Sequence, residues 1–336
     1  MAKHTVVVIP GDGIGPEVTR ATLRVLAEAG FSAEWVELPA GIAAVEQGLD
    51  NVLPQRTLAA IRAHRVALKG PCSTPVGKGH KSVNVQLRQA LNLYAAVRPV
   101  QSLAGVKTRF DRVNMIIVRE NTEGLYSGIE NEVVPGVITS LKVATQTACT
   151  RIARFAFRQA TRWQRRRITV FHKANIMKMS DGVFLNAART IHEEEYPNIE
   201  YEELIIDSGC MRLVQDPSRF DVLLMENLYG DLVSDLCAGL VGGLGVVPGA
   251  NIGDDAAVFE AVHGSAPDIA GKGIANPLAL MMSATMLLTH VHEDALAQRI
   301  RAAYGAVLAE GKSLTVDLGG TATTEQFADA VIAHLA

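Results

Sequence analysis

The 336-residue sequence lacks several features that would place it in a special class of protein. Its four cysteines are scattered without C-x-x-C spacing, which predicts neither a zinc cluster nor a disulfide framework, and we expect reduced thiols. It has no charged-then-apolar leader and no apolar run of about 18 residues, so we expect no export and no membrane partner. Its net charge is only −3. Together these absences predict a cytoplasmic, globular enzyme.

One basic run departs from this charge balance. Residues 162–167 contain four arginines at the end of a helix predicted over 147–163. Such a run could form a nucleic-acid-binding patch, but basic side chains at the end of a helix also complement the helix dipole. We favour the helix end and predict no nucleic-acid partner.

Strand-like apolar runs alternate with helical patterns along the chain, as in α/β folds. The run Thr5 to Ile9 predicts a buried strand that leads into P-G-D-G-I-G-P-E, residues 10–17. The glycines follow G-x-G-x-G and a proline stands at position 16, so this loop departs from the dinucleotide fingerprint of a standard Rossmann fold. Later patterns predict a helix over 176–195 and a strand over 201–206.

Charged side chains follow the predicted strands where these strands end. They are Lys69, Arg119, Lys173, Asp207 and Glu226. Ligands of open α/β sheets gather at the carboxyl ends of the strands, so we expect a functional site there. The loop over 71–82, rich in turn formers, hydroxyls and bases, is predicted to face an anion.

The stretch N-L-Y-G-D-L-V-S-D, residues 227–235, indicates a metal site. Asp231 and Asp235 are four residues apart and face the same side of a predicted helix. Two carboxylates so close repel each other unless a hard divalent cation keeps both ionised. An ordinary solvated helix face is the alternative. The apolar strand before the stretch and the glycine-rich turn after it favour the metal site.

Residues 127–145 lack helical periodicity. Pro135 and Gly136 lie between β-branched runs, which predicts a hairpin-like arm outside the core.

Six motifs, in this order, resemble those of the β-decarboxylating dehydrogenases of the isocitrate and isopropylmalate dehydrogenase family, and the resemblance extends from one end of the chain to the other. They are G-D-G-I-G-P-E (11–17), R-E-N-T-E-G-L-Y (119–126), H-K-A-N-I-M-K (172–178), N-L-Y-G-D-L-V-S-D (227–235), V-G-G-L-G-V-V-P-G-A-N-I-G (241–253) and H-G-S-A-P-D-I-A-G (263–271). The resemblance implies an α/β fold of two domains with a shared sheet core, distinct from the standard Rossmann fold. The large domain would comprise 1–95 plus 242–336 and the small domain 96–241, with a homodimer clasped by the arm, 124–145.

The resemblance also implies a divalent-metal-dependent oxidative decarboxylation. Asp231, Asp235 and the partner's Asp207 would hold Mg²⁺ or Mn²⁺. The partner's Lys173 would accept the proton of the substrate hydroxyl, and Tyr126 would protonate the carbon that loses CO₂. The residues expected to bind the substrate are Ser82, Asn84, Arg88, Arg98 and Arg119.

Isocitrate is the implied substrate. Isopropylmalate enzymes carry apolar residues just before the arginine at position 88, where this chain has the polar residues Ser82 and Asn84. Homoisocitrate enzymes usually carry a bulkier, differently charged insertion at this point, which this chain lacks. Judged by its position alone, Ser82 is also a typical helix N-cap. Homoisocitrate dehydrogenase and 3-isopropylmalate dehydrogenase remain alternatives. A non-catalytic regulatory subunit is another, but such subunits typically lose the tyrosine, the serine or an acid, and this chain keeps them.

NAD is the implied cofactor. An acidic side chain at Asp268 would bind the adenosine hydroxyls and repel a 2′-phosphate, whereas family members that use NADP usually carry Lys-Tyr at positions 268 and 269. The residues expected around NAD are Ile14, Thr74, Asn175, Glu260, His263, Gly264, Ser265, Ala266, Asp268, Ile269 and Asn276.

Overall fold

The computed structural model describes residues 3–74 and 81–335. Its strands are β1 (His4–Ile9), β2 (Ala33–Glu37), β3 (Val66–Lys69), β4 (Ala95–Gln101), β5 (Asn114–Glu120), β6 (Gly124–Val134), β7 (Val137–Val143), β8 (Arg167–His172), β9 (Glu200–Ile205), β10 (Val222–Met225), β11 (Pro248–Ile252) and β12 (Ala257–Ala261). Its helices are α1 (Gly15–Glu28), α2 (Ile42–Glu46), α3 (Gln55–His64), α4 (Val83–Ala90), α5 (Gln146–Arg162), α6 (Ser180–Glu195), α7 (Ile206–Gln215), α8 (Asn227–Leu240), α9 (Leu278–His290), α10 (Asp294–Glu310) and α11 (Thr324–Ala333). Residues 75–80 of the predicted anion-facing loop lie outside the described residues.

The chain divides into two compact units, of which the first comprises Met1–Asn92, Ser102–Asp111 and Val241–Ala336. Its strands follow the order β2-β1-β3-β12-β11, in which β11 alone runs antiparallel to its neighbour. Strand β1 is fully buried from Val6 onward, as the continuous apolar run predicts. Helix α9 is apolar along most of its length and is buried accordingly.

The glycines after β1 allow three loops of this unit to pack closely. A Cβ atom added at Gly11 would lie 2.1 Å from the carbonyl oxygen of Pro71, and one at Gly13 would lie 2.0 Å from that of Ser265. Both glycines also have positive φ, +81° and +59°. The G-x-G-x-G spacing therefore meets a packing requirement between loops, which explains why it departs from the dinucleotide fingerprint.

The second unit comprises Leu93–Gln101 and Arg112–Leu240. Its strands follow the order β4-β5-β10-β8-β9, parallel except for β4 against β5. Strands β6 and β7 form a separate antiparallel hairpin at the position of the predicted arm. Helix α8 begins directly after the buried strand β10, so its first turn lies at the carboxyl end of that strand.

Three boundaries differ from the sequence-based expectation. Residues 102–111 group with the first unit, because Gly105 packs against the carbonyl of Leu308 on α10. Helix α6 begins at Ser180 instead of position 176, since the chain first turns back on itself after β8. Strand β9 ends at Ile205, which places Asp207 in the first turn of α7.

All four cysteines are free thiols. Across residues 3–74 and 81–335, none of the helices combines the length and the apolar character needed to cross a membrane.

Candidate active site

Arg119 is the buried centre of the site in the second unit. It lies at the end of β5, and its side chain is fully shielded from solvent. Asn227 Oδ1, at the start of α8, accepts hydrogen bonds from Arg119 Nε at 3.1 Å and Nη2 at 2.7 Å. A Cβ atom added at Gly230 would lie 2.4 Å from Arg119 Cγ. The glycine in N-L-Y-G-D therefore makes room for this arginine against the helix.

Asp231 is the acid on which the basic and phenolic groups converge. Arg119 Nη1 donates to its Oδ1, and the Tyr126 hydroxyl donates to its Oδ2. Arg98 Nη2 lies 3.6 Å from the same carboxylate, while Arg98 Nη1 donates to Ser234 and lies 3.3 Å from Asp235 Oδ1. The structure thus brings together five of the predicted residues, Arg98, Arg119, Tyr126, Asp231 and Asp235.

Burial changes the proton affinity of two of these groups. It raises the pKa of Tyr126, and the hydrogen bond to Asp231 adds to the increase. Burial also raises the pKa of Asp235, against the opposing charge of Arg98, and Asp231 adds to the increase. Tyr126 therefore keeps its proton at neutral pH and can act as a proton donor.

The predicted metal ligands are not all assembled within one chain. Across the described residues, no group of three or more His, Cys, Asp or Glu side chains is arranged to hold a metal ion. Asp231 and Asp235 supply two carboxylates with the oxygen chemistry that Mg²⁺ and Mn²⁺ prefer. The third predicted ligand, Asp207, binds Lys173 instead, at 2.6 Å between Oδ1 and Nζ.

Lys173 and Asp207 form a second, solvent-facing group in this unit. The side chain of Asp207 is 69% exposed, and its hydrogen bond with Lys173 lowers its pKa. The backbone of Lys173 is fixed from the other side, because its amide donates to Asp181 Oδ2 at 2.6 Å. Asn175 follows on an exposed turn.

The first unit carries the three predicted substrate ligands of α4. Ser82 precedes the helix, but its side chain makes no N-cap hydrogen bond. Asn84 has a buried side-chain oxygen with no hydrogen-bond partner among the described residues. Rotation of the amide group by half a turn would place its nitrogen at the same position, so this side chain can donate to a ligand or accept from one. Arg88 Nη2 lies 3.6 Å from Glu260 Oε1.

Glu260 belongs to a buried ion-pair network in this unit. Lys69 Nζ lies 2.6 Å from its Oε2, and Asn251 Nδ2 donates to its Oε1 at 2.6 Å. Burial opposes the ionisation of Glu260, but the charges of Lys69 and Arg88 outweigh it and lower its pKa to about 2. Glu260 was predicted to contact NAD, and the structure shows its carboxylate engaged by these neighbours.

The other predicted NAD residues of the first unit lie on neighbouring loops. Ile14 N donates to Ser265 O at 2.9 Å, and the Ser265 and Ser73 hydroxyls are 2.6 Å apart. His263 Nδ1 lies 3.0 Å from Gly264 O, its Nε2 is buried and has no partner among residues 3–74 and 81–335, and burial lowers its pKa. A neutral imidazole with one unsatisfied nitrogen suits a polar, uncharged part of a cofactor.

The remaining predicted NAD residues differ in whether their side chains are accessible. Asp268 is exposed, on a turn closed by a hydrogen bond from Ile269 N to Ala266 O of 3.1 Å. Thr74 is exposed as well. The Asn276 side chain is instead occupied, since it accepts from Leu278 N at the start of α9 and donates to Asp317, both at 2.9 Å.

Three contact residues were missed by the sequence analysis, Asn227, Ser234 and Asn251, and Lys69 was placed at a strand end without its partner Glu260. Asn227 and Ser234 stand inside the motif that carries both aspartates, so their hydrogen-bonding side chains were a usable signal. Lys69 and Asn251 meet Glu260 only through the pairing of β3, β11 and β12, which no local pattern reveals.

Comparisons with known proteins cover nearly the whole chain. Residues 5–331 match the family described as isocitrate/isopropylmalate dehydrogenase. The chain is 51% identical to isocitrate dehydrogenase [NAD] catalytic subunit 5 of Arabidopsis thaliana, over 98% of this chain and 88% of that protein. It is also 51% identical to a chloroplastic 3-isopropylmalate dehydrogenase of Solanum tuberosum, over 90% of this chain and 85% of that protein. Overall identity therefore does not separate the two substrates.

These relatives show that the prediction of a cytoplasmic protein is wrong. The Arabidopsis protein is mitochondrial, as are further relatives named as NAD-dependent isocitrate dehydrogenase subunits, one of them regulatory. The error has a simple cause. Free thiols indicate a reducing environment, and they do not distinguish one reducing compartment from another.

The predicted fold is confirmed by a solved structure. An isocitrate dehydrogenase from Methylococcus capsulatus superposes with a TM-score of 0.96 and 50% identity, and the match covers 99% of both chains. Coverage, identity and fold agree, and the chain belongs to the isocitrate/isopropylmalate dehydrogenase family.

Proposed function

We propose that this protein is an isocitrate dehydrogenase that converts isocitrate to 2-oxoglutarate and CO₂ and reduces NAD. The observation that carries the choice of substrate is the polar start of α4. The Ser82 hydroxyl makes no N-cap hydrogen bond, and Asn84 has a buried side-chain oxygen without a hydrogen-bond partner among residues 3–74 and 81–335. An isopropyl group placed there would leave these groups unpaired, at about 1–3 kcal/mol for each buried one. Isocitrate carries a third carboxylate where 3-isopropylmalate carries its isopropyl group, and this carboxylate can accept from the Ser82 hydroxyl and from the amide group of Asn84.

The proposed substrate ligands supply the positive charge that a tricarboxylate needs. Among the proposed ligands Ser82, Asn84, Arg88, Arg98 and Arg119, three are arginines, which stay protonated at neutral pH. Arg119 is rigidly held by Asn227 through two of its nitrogens. An arginine fixed in this way can bind a carboxylate with little loss of side-chain entropy.

The acid–base roles follow from the contacts within the second unit. When bound, Mg²⁺ or Mn²⁺ would polarise the substrate oxygens and NAD would accept the hydride. Asp231 and Asp235 would hold the metal. The Tyr126 hydroxyl, oriented by Asp231 and kept protonated by burial, would donate its proton to the carbon that has lost CO₂. Lys173, oriented by Asp207, would accept the proton of the substrate hydroxyl.

We further propose that the working form is a homodimer in which each site takes Lys173 and Asp207 from the partner. Asp207 is exposed and lies apart from the other two acids of its own chain, so a second chain would complete the metal site. Large apolar side chains are exposed on the hairpin, on the turn before α6, and on α8, which is typical of an interface. They include Val133 (62%), Ile138 (60%), Ile176 (69%), Met179 (86%) and Leu232 (62%).

The choice of NAD over NADP rests on Asp268. Its carboxylate is exposed on the loop that also presents Ser265 and His263. A negative charge at this place would accept hydrogen bonds from adenosine hydroxyls and repel a 2′-phosphate.

The proposal is tested by following both products of the reaction. Purified protein with isocitrate, NAD and Mg²⁺ or Mn²⁺ should form NADH and 2-oxoglutarate in equal amounts, and EDTA should stop both. Formation of NADH without 2-oxoglutarate would contradict decarboxylation. Turnover unchanged after complete removal of divalent metal would contradict the role given to Asp231 and Asp235.

A further inference from the structure

Lys142 is a shielded lysine to which the sequence analysis gave no role. It lies near the end of β7, where the hairpin returns to the body of the second unit, and its side chain is only 12% exposed. Its Nζ lies 2.6 Å from Asp181 Oδ1 and 3.7 Å from Glu226 Oε1. It also lies 4.5 Å from the centre of the Tyr229 ring, a cation–π distance.

The two acids bound by Lys142 have second partners of their own. Asp181 Oδ2 accepts a hydrogen bond from the backbone amide of Lys173 at 2.6 Å. Glu226 accepts from the amides of Leu228 at 3.3 Å and Tyr229 at 3.1 Å, in the first turn of α8. One ammonium group is therefore shared between the segment that presents Lys173 and the helix that presents Asp231 and Asp235.

The charges in this cluster make Lys142 difficult to dispense with. The side chains of Asp181 and Glu226 are 3% and 11% exposed. Burial raises the pKa of Glu226, and Lys142 opposes that increase. Without the ammonium group two shielded carboxylates would face each other, and they would separate or take up a proton. Independently of this repulsion, loss of the ammonium group removes the bridge between the two acids, so the backbone groups that each acid holds are no longer tied to each other.

We propose that Lys142 is a positioning residue that ties the Lys173 segment to the first turn of α8. This inference rests on the proposed function, which assigns Lys173 to the partner's site and α8 to the chain's own site. Lys142 would then connect the parts that one chain contributes to two different active sites. Because Lys142 lies on the hairpin, both active sites would depend on the hairpin being packed against the second unit.

Three variants separate positioning from simple charge neutralisation. Lys142→Met removes the ammonium group. Lys142→Met combined with Glu226→Gln also removes one acid, so the cluster keeps its net charge of −1, and the single Gln oxygen can still accept from one of the two α8 amides that Glu226 holds. Lys142→Arg keeps a cation within reach of both acids. Lys312→Met is the control, since this lysine is 81% exposed and far from the cluster in sequence.

We expect kcat for isocitrate to fall at least about tenfold in Lys142→Met and in the double variant, because small displacements of catalytic groups cost up to about 100-fold. The KM for isocitrate should change much less than kcat. Lys142→Arg should recover most of the lost kcat, and Lys312→Met should match the wild type. A double variant that folds and regains full kcat would overturn the inference, because the lysine would then only balance charge.

A second measurement is independent of turnover. Hydrogen exchange at the amides of Lys173 and of residues 228–229 should be faster in the double variant than in Glu226→Gln alone, which already lacks one acceptor for the α8 amides, with exchange across α5 the same in both. Unchanged exchange at these amides would overturn the inference even if the proposed substrate is wrong. Conversely, a wild type that does not oxidise isocitrate would refute the proposed function and leave this exchange test intact.

Discussion

Replacing Lys69 with methionine tests the buried ion-pair network beside Arg88. Methionine has nearly the same length and volume as lysine, so the change removes a charge and leaves the packing largely intact. Lys69 and Glu260 have side chains that are 1% and 9% exposed, and their charged atoms are 2.6 Å apart. The variant would leave Glu260 buried with Arg88 at 3.6 Å and the Asn251 amide as its remaining partners.

Removal of one partner from a buried pair typically costs about 3–5 kcal/mol. Because Arg88 and Asn251 stay in place, we expect the lower end, about 3 kcal/mol. The double variant Lys69→Met/Glu260→Gln should recover most of this loss, since a neutral pair of similar shape is often as stable as a buried ion pair. This recovery of unfolding free energy would show that the single variant is destabilised by the unpaired buried charge of Glu260 and not by a packing defect.

Urea unfolding at pH 7 measures both free energies. The matched control is Lys3→Met, because Lys3 and Glu293 form a lysine–glutamate pair of the same 2.6 Å length in the same unit, but with the lysine 66% exposed. An exposed pair contributes little, so this control should change the unfolding free energy only slightly. A double variant as unstable as Lys69→Met alone would refute the reasoning.

The same network predicts a pH dependence. The pKa of Glu260 is lowered from 4.5 to about 2, so its stabilising effect is fully present above pH 4.5 and is lost as the pH falls toward 2. The shift corresponds to on the order of 3 kcal/mol. The stability of the wild type should therefore decrease more steeply than that of Lys69→Met/Glu260→Gln between pH 5 and 2. Parallel curves over this range would contradict the assigned shift.

Three further predictions concern the proposed site. Ser82→Asp should abolish isocitrate binding while NAD binding survives, because it opposes a negative charge to the substrate carboxylates; near-normal turnover would return Ser82 to a structural role. Asp268→Lys with Ile269→Tyr should shift preference toward NADP, measured as the ratio of kcat/KM values, and a wild type that already prefers NADP would contradict the assignment. Lys173→Met and Asp231→Asn should each be inactive but, refolded together, recover about a quarter of wild-type activity, since half the dimers are mixed and hold one intact site; inactive mixed dimers would place the site within one chain.

Local patterns predicted the parts of the site that lie close together in sequence. The spacing of Asp231 and Asp235 on one helix follows from helical geometry, and Arg119 lies at the end of a strand whose apolar run predicts it directly. The hairpin was predicted from Pro135 and Gly136, and β6 and β7 pair on either side of them. These features depend on interactions between near neighbours, which the sequence displays directly.

Contacts between distant segments were not predictable in this way. Lys69 and Glu260 meet because β3 and β12 pair with these two residues in register. Lys142 reaches Asp181 because the hairpin packs beside the start of α6. Both lysines were visible in the sequence, but one followed a strand and the other stood on an arm predicted to lie outside the core. Their burial depends on tertiary packing that no local period encodes.

The most direct test of the proposed function is a comparison of substrates. Initial rates should be measured for isocitrate, homoisocitrate and 3-isopropylmalate, each with NAD and with NADP, on the same preparation. We predict the highest kcat/KM for isocitrate with NAD, exceeding 3-isopropylmalate at least about 100-fold, because a site with buried polar groups rejects an apolar analogue strongly. A preference for 3-isopropylmalate would contradict the role of Ser82 and Asn84 and with it the proposed function.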